Sequence, residues 1–176
     1  MRCSRFRNLA PAAIALALSA CGFQPLYGVG NGGNVATAPG ARLASIYVEP
    51  IAERVGYQLR NELVDLFRAQ TQSEGAAYRL KLVLRERKGG EALQNDASIT
   101  RYNYTLIARY ELTPAGATTP VRTGEVSALS AFNVATSPFA TVIAERDASD
   151  RAANDIAERL RTELAVYFRD VGPGPP

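Results

Sequence analysis

Apolar residues recur along this chain with two periods, and the switches between those periods outline a short series of elements. Ser45-Ile46-Tyr47-Val48-Glu49-Pro50 is a β-branched and aromatic run closed by proline, which predicts a short first strand. Val55, Leu59, Leu63, Leu66 and Phe67 follow at helical spacing. Arg54, Arg60, Glu62, Asp65 and Arg68 fill the other side of the wheel, predicting an amphipathic helix from about Glu53 to Thr71. Between Ala77 and Lys88 the period drops to two: Leu80, Leu82 and Leu84 share one face, Arg79, Lys81, Val83 and Arg85 the other. Gly89-Gly90 reads as the turn that punctuates this strand. A longer run from Ser98 to Thr113 sets Tyr102, Tyr104, Leu106, Ala108, Tyr110 and Leu112 opposite Arg101, Asn103, Thr105, Ile107, Arg109 and Glu111. It too reads as a strand buried on one side only. After a turn region from Pro114 to Pro120, Val121 to Val134 predicts a fourth strand, weakened by its Ser, Ala and Gly content.

The last element is the longest. Ser137-Pro138 sets an N-cap before proline at the first helical position, and the pattern runs on through Ile143, Ile156, Leu160, Leu164 and Tyr167 to Phe168. Asp147 or Ser149 offers a cap for a second, separate helix. No Gly or Pro interrupts the segment, which favours one continuous helix. The order β-α-β-β-β-α predicts an α+β fold, a four-stranded sheet with two amphipathic helices packed on one face. Strands joined by short turns are expected to be antiparallel neighbours, whereas the helix after the first strand allows that strand to pair either way. The second sheet face carries Arg79, Lys81, Arg85, Arg101 and Arg109, too polar for a core, so it is exposed or pressed against something.

The N-terminus follows another logic. Arg2, Arg5 and Arg7 precede an apolar stretch from Leu9 to Leu18, the anatomy of a secretory signal and too short to span a bilayer, which needs about 20 residues. Leu18-Ser19-Ala20-Cys21 closes it and resembles the bacterial lipobox. That resemblance implies cleavage before Cys21, a diacylglycerol on its thiol and an acyl group on its new amino terminus. An ordinary signal with an incidental cysteine would not explain why the only cysteine beyond the signal sits at the boundary. From Gly28 to Arg42 the Gly, Asn, Ala, Thr and Pro composition predicts a flexible tether spanning roughly 20 Å. The expected organisation is therefore a signal peptide over residues 1–20, a lipidated N-terminus and tether over 21–42, one domain over 43–171 and a disordered tail over 172–176.

The formal charge of +3 is carried by Arg2, Arg5 and Arg7, so the rest of the chain is balanced. A neutral domain lacks the general pull toward nucleic acid that a basic one has. With Cys3 in the signal and Cys21 acylated, no disulfide is available, and stability must come from packing. Histidine is absent, which excludes His-containing triads and His-ligated metal sites. Lysine occurs only at Lys81 and Lys88, both in a predicted strand, a poor setting for a Ser-Lys dyad. Neither a phosphate-cradling nor a dinucleotide glycine motif is present. The carboxylates Glu145, Asp147 and Asp150 are close enough on a helix to hold a water or metal for hydrolysis, but Arg146 and Arg151 in the same stretch favour a solvated, salt-bridged face. The chain offers no catalytic machinery, so it is not expected to be an enzyme or to hold a cofactor beyond the covalent lipid on Cys21.

The block Cys21-Gly22-Phe23-Gln24-Pro25-Leu26-Tyr27-Gly28 resembles the opening of the LptE family of lipopolysaccharide-assembly lipoproteins, especially its alphaproteobacterial branch. Ala144-Glu145-Arg146-Asp147-Ala148 and Asp150-Arg151-Ala152-Ala153, followed by Ile156, Leu160 and Leu164, are similar to that family's closing helix. The resemblance implies an outer-membrane lipoprotein that plugs the lumen of the LptD β-barrel, supports its assembly and assists delivery of lipopolysaccharide to the outer leaflet. Gly22 after the lipidated cysteine, in place of aspartate, resembles cargo sorted to the outer membrane. Phe23, Leu26 and Tyr27 would pack at the membrane interface or fold onto the domain. Some members of the family are thought to bind lipopolysaccharide through basic residues, and the nearest cluster here is Arg85, Arg87 and Lys88. Phosphate recognition is one reading of it, and a charged strand end that discourages edge pairing is the other, favoured one. An accessory subunit of another envelope lipid-transport system is the alternative function, since shared layers do not settle partners.

Overall fold

Long strands and helices form where the two periods predict them, and the sheet's pairing follows from the connections between them. The structure, a computed structural model, describes residues 39–69, 73–93, 99–135 and 137–171, all within a compact unit spanning 34–176. Cys21, Gly22, the aromatic block after them, most of the tether and the tail lie outside the described residues. The elements are α1 (Pro39–Ala44), β1 (Ile46–Val48), α2 (Glu53–Phe67), β2 (Tyr78–Leu93), β3 (Ile99–Pro114), β4 (Arg122–Asn133) and α3 (Pro138–Asp170). They build an α+β fold with a four-stranded sheet in the order β1-β2-β3-β4.

β1 runs parallel to β2, with Ile46 opposite Tyr78 and Val48 opposite Leu80. A parallel partner needs a crossover, and α2 provides it. β2, β3 and β4 form an antiparallel meander in which Lys81, Glu111 and Thr123 share a row, as do Lys88, Tyr104 and Ser130. The helices bury their stripes on one sheet face. Val55, Leu59, Leu63 and Phe67 of α2 and Ile156, Leu160, Leu164 and Phe168 of α3 meet Leu80, Leu82, Leu106, Tyr110, Leu112 and Val126 there. Each fully buried side chain of this kind contributes roughly 1.5–3 kcal/mol. Ala148, Ala152, Ala153 and Ala157 are also buried, and such small side chains let α3 approach its neighbours closely.

Three expectations are corrected. The stretch read as tether ends in α1, a third helix, where Leu43 is buried and Arg42 is only 7% exposed. Arg42 donates to the Phe168 carbonyl at 3.3 Å and its guanidinium lies over the Phe168 ring, so a cation sits at the negative end of α3. Gly89-Gly90 is not a turn: β2 continues through both glycines to Leu93, opposite Asn103 and Tyr102, with a register irregularity only after Gly90. Finally, α2 stops at Phe67, because Arg68 takes a left-handed backbone (φ 52°) that sends its N–H and that of Ala69 back to the Asp65 and Val64 carbonyls.

The closing helix is one continuous element of 33 residues, about 50 Å long. Ser137 occupies the N-cap position but its hydroxyl makes no cap; instead the Thr141 hydroxyl accepts from the Ala135 N–H at 3.0 Å. Residues 138–147 contribute no buried side chain, and Phe139 is 75% exposed. The first third of α3 thus runs along the margin of the packed core and touches it through Ala144.

Candidate functional site

Alternation along three long strands decides what the uncovered sheet face presents. On β2 it carries Arg79, Lys81, Val83, Arg85 and Arg87. On β3 it carries Arg101, Asn103, Thr105, Ile107, Arg109 and Glu111, and on β4 Thr123, Glu125, Ser127 and Leu129. Arg109 and Glu125 are cross-strand neighbours and form an ion pair at 2.6 Å, while Arg79 reaches Glu49 at 3.6 Å. Both pairs are solvent-exposed and each is worth at most about 1 kcal/mol. Lys81, Arg85 and Arg87 make no ion pair among the described residues, leaving β2 the basic side of the face.

An apolar diagonal crosses this charged surface. Val83 on β2 and Leu129 on β4 are 60% and 62% exposed, and Ile107 lies between them on β3, one row on from Val83 and one short of Leu129. Diagonal neighbours of this kind are about 7–8 Å apart, within reach of one extended contact. An open depression of about 510 Å³ borders it, lined by Lys81, Val83, Arg109 and Glu125 among others. The face suits contact with a broad, mixed polar and apolar surface better than enclosure of a small molecule.

The three residues singled out as a basic cluster separate in the structure. Arg85 and Arg87 point from the uncovered face, whereas Lys88 falls on the helix-covered face and pairs with Glu145 of α3. A strand continuing through Gly89-Gly90 imposes this, since its successive side chains alternate sides. The carboxylates weighed for hydrolysis are likewise divided. Glu145 pairs with Lys88, Asp147 with Arg151 four residues on, and Asp150 with Arg54 of α2 at 2.7 Å. Among the described residues no group of acidic side chains is placed to hold a metal ion. No described helix is long and apolar enough to cross a membrane.

Some polar features escaped the sequence reading. Arg122, at the start of β4, and Tyr110, buried on β3, converge on Glu163 of α3, at 2.9 Å and 2.5 Å. Burial, and then Glu163 accepting its proton, raise the Tyr110 pKa above the ordinary tyrosine value. The Tyr104 hydroxyl, on the same face of β3, is buried without a hydrogen-bond partner among the described residues. Burial first, then the neighbouring Glu86 carboxylate, push its pKa up as well. Helix-phase and strand-phase patterns mark all of these positions, but nothing local pairs them.

Comparison with known proteins adds to this geometry. No curated protein sequence matches the chain significantly. A crystal structure of a lipoprotein from Caulobacter crescentus superposes with a TM-score of 0.64 at 27% identity, covering 77% of this chain and 98% of that one. Rare lipoprotein B from Shewanella oneidensis gives 0.57 at 9% identity, covering 72% and 97%, and a minor lipoprotein from Acinetobacter baumannii gives 0.53 at 12% identity, covering 70% and 92%. At the identities of the latter two, the likeness is one of fold. Residues 43–164, from the end of α1 into the last turns of α3, match the LptE family, described as lipopolysaccharide-assembly. A one-sided α+β layer with an uncovered mixed face, matched to that family over most of its length, places this chain in the LptE lipopolysaccharide-assembly family.

Proposed function

We propose that this chain is an outer-membrane lipoprotein that occupies the lumen of an LptD-type β-barrel, supports the barrel's assembly and so assists delivery of lipopolysaccharide to the outer leaflet. The observation that carries this reading is the uncovered sheet face, broad and polar with a narrow apolar diagonal. Barrel lumens are lined by polar side chains, so such a face has a matching wall there. Charge pairing across it would fix orientation more than strength.

In this proposal Cys21 carries the covalent lipid that holds the protein on the periplasmic side of the outer membrane, and Gly22 directs it there. The role asks for no catalytic group and no other cofactor. Arg85 and Arg87 are the residues offered to a lipopolysaccharide phosphate, because they share one face without a carboxylate partner among the described residues; Lys88 stands apart, occupied by Glu145.

Affinity purification of the full-length lipoprotein from mild-detergent envelope extracts, with mass spectrometry of co-eluting proteins, tests the proposal. One large outer-membrane β-barrel at near-equal stoichiometry is the expected result. Recovery of an inner-membrane transporter would instead favour an accessory subunit of another lipid-transport system, and absence of any stable partner would reject the plug.

A further inference from the structure

Among the described residues the sheet ends at β4, and the chemistry of that strand is unusual for an edge. From Val126 to Phe132 the edge reads Val-Ser-Ala-Leu-Ser-Ala-Phe, with no charged residue. A free edge without charge, proline or cover is a template for pairing with another strand. The opposite side of the sheet is managed differently, since β2 carries Arg85, Glu86, Arg87 and Lys88 on the stretch beyond its short partner β1.

Protection of β4 comes from another element. Arg159 of α3 donates to the Ser127 carbonyl at 3.0 Å and Arg151 donates to the Ala131 carbonyl at 3.1 Å. The spacings match: eight helical residues rise about 12 Å, and four strand residues about 13 Å. Asp155 lies midway between the arginines on the same helix face. Ser127 and Ala131 turn these carbonyls away from β3, and by the two-residue alternation Leu129 between them does the same.

We propose that the row Arg151, Asp155 and Arg159 holds the β4 edge closed against the β4 edge of a second copy of this chain. The edge is self-complementary in the antiparallel sense. A two-fold axis through Leu129 sets Leu129 against Leu129, Ser127 against Ala131, and Glu125 against Asn133, so no like charges meet. The two arginines of the row are seated on its carbonyls, and Asp155 lies between them. The inference concerns the chain's own edge and stands apart from its barrel partner.

Disulfide trapping of the full chain in mild detergent tests it. Leu129→Cys would place two thiols in a hydrogen-bonded antiparallel pair, about 5.5 Å between Cα atoms and within disulfide reach. Arg151→Ala, Asp155→Ala and Arg159→Ala together, in the Leu129→Cys background, are expected to increase cross-linked dimer about tenfold or more. Alanine is the best helix former, so α3 persists in that variant, and an unchanged circular dichroism spectrum checks it. Arg151→Lys with Arg159→Lys, keeping Asp155, should remain as monomeric as the parent. Equal cross-linking with and without the charged row would overturn the proposal. So would equal trapping through Ala117→Cys in the distant β3–β4 turn, which would show unspecific aggregation.

Discussion

Tyr104 and Tyr110 lie on the same covered face of β3, each 1% exposed, yet their hydroxyls meet opposite fates. Tyr110 donates to Glu163, which Arg122 also holds, while Tyr104 has no partner among the described residues. A buried hydroxyl without a bond costs roughly 1–3 kcal/mol, and a satisfied one contributes about 1 kcal/mol. Tyr104→Phe is therefore expected to stabilise the domain by about 1 kcal/mol and Tyr110→Phe to destabilise it by about the same amount. Equilibrium urea unfolding of the two variants checks the opposite signs. Gly124 completes the Tyr110 site, because a Cβ there would stand 2.7 Å from the tyrosine ring. Alternation made it legible that both tyrosines face inward. It could not show that Glu163, 53 residues away from Tyr110, would meet one of them and not the other.

At the scale of elements, α3 is two helices in energetic terms though one in geometry. Ala148 onward packs on α2 and the sheet, while residues 138–147 bury no side chain fully and are tied down by Ala144 at the margin of the core, the Lys88–Glu145 pair and the Thr141 contacts with residues 135 and 137. Exposed ion pairs stabilise little, and segments with few buried contacts open locally. Amide hydrogen exchange is expected to be about tenfold or more faster over 138–147 than over 152–165, and Lys88→Ala should widen the gap. Uniform protection along the helix would refute this. The continuity of α3 was readable from its lack of Gly and Pro. α1 was not, because Pro-Gly-Ala-Arg-Leu-Ala is shorter than two helical turns and its composition argues for a loop. What makes it a helix is tertiary: Leu43 enters the core and Arg42 finds the end of α3. Gly89-Gly90 misled for the related reason that long-range pairing with Asn103 and Tyr102 overrides local turn preference.

For the whole molecule, the division into a helix-covered and an uncovered sheet face was legible from period alone, but the membership of each face near the tip depended on β2 running straight. That dependence has a measurable form. Arg85→Gln with Arg87→Gln is expected to reduce binding to immobilised lipopolysaccharide several-fold, with unfolding free energy changed by no more than about 0.5 kcal/mol. Lys88→Gln should leave that binding unchanged, since its side chain lies on the opposite face. Equal losses from both variants would count against the assignment of phosphate contact to the uncovered face. The position of α3 in the chain carries a last consequence. Leu160, Leu164 and Phe168 close the core, yet they follow every other element of that core in the chain. Until they arrive, the inner surfaces of β3 and β4 lack the helix that covers them, so the domain stays unlatched while every earlier element is made. A nascent chain in that condition can be threaded as an extended polymer. A copy terminated before Leu160 lacks the side chains that close its core and is left to proteolysis.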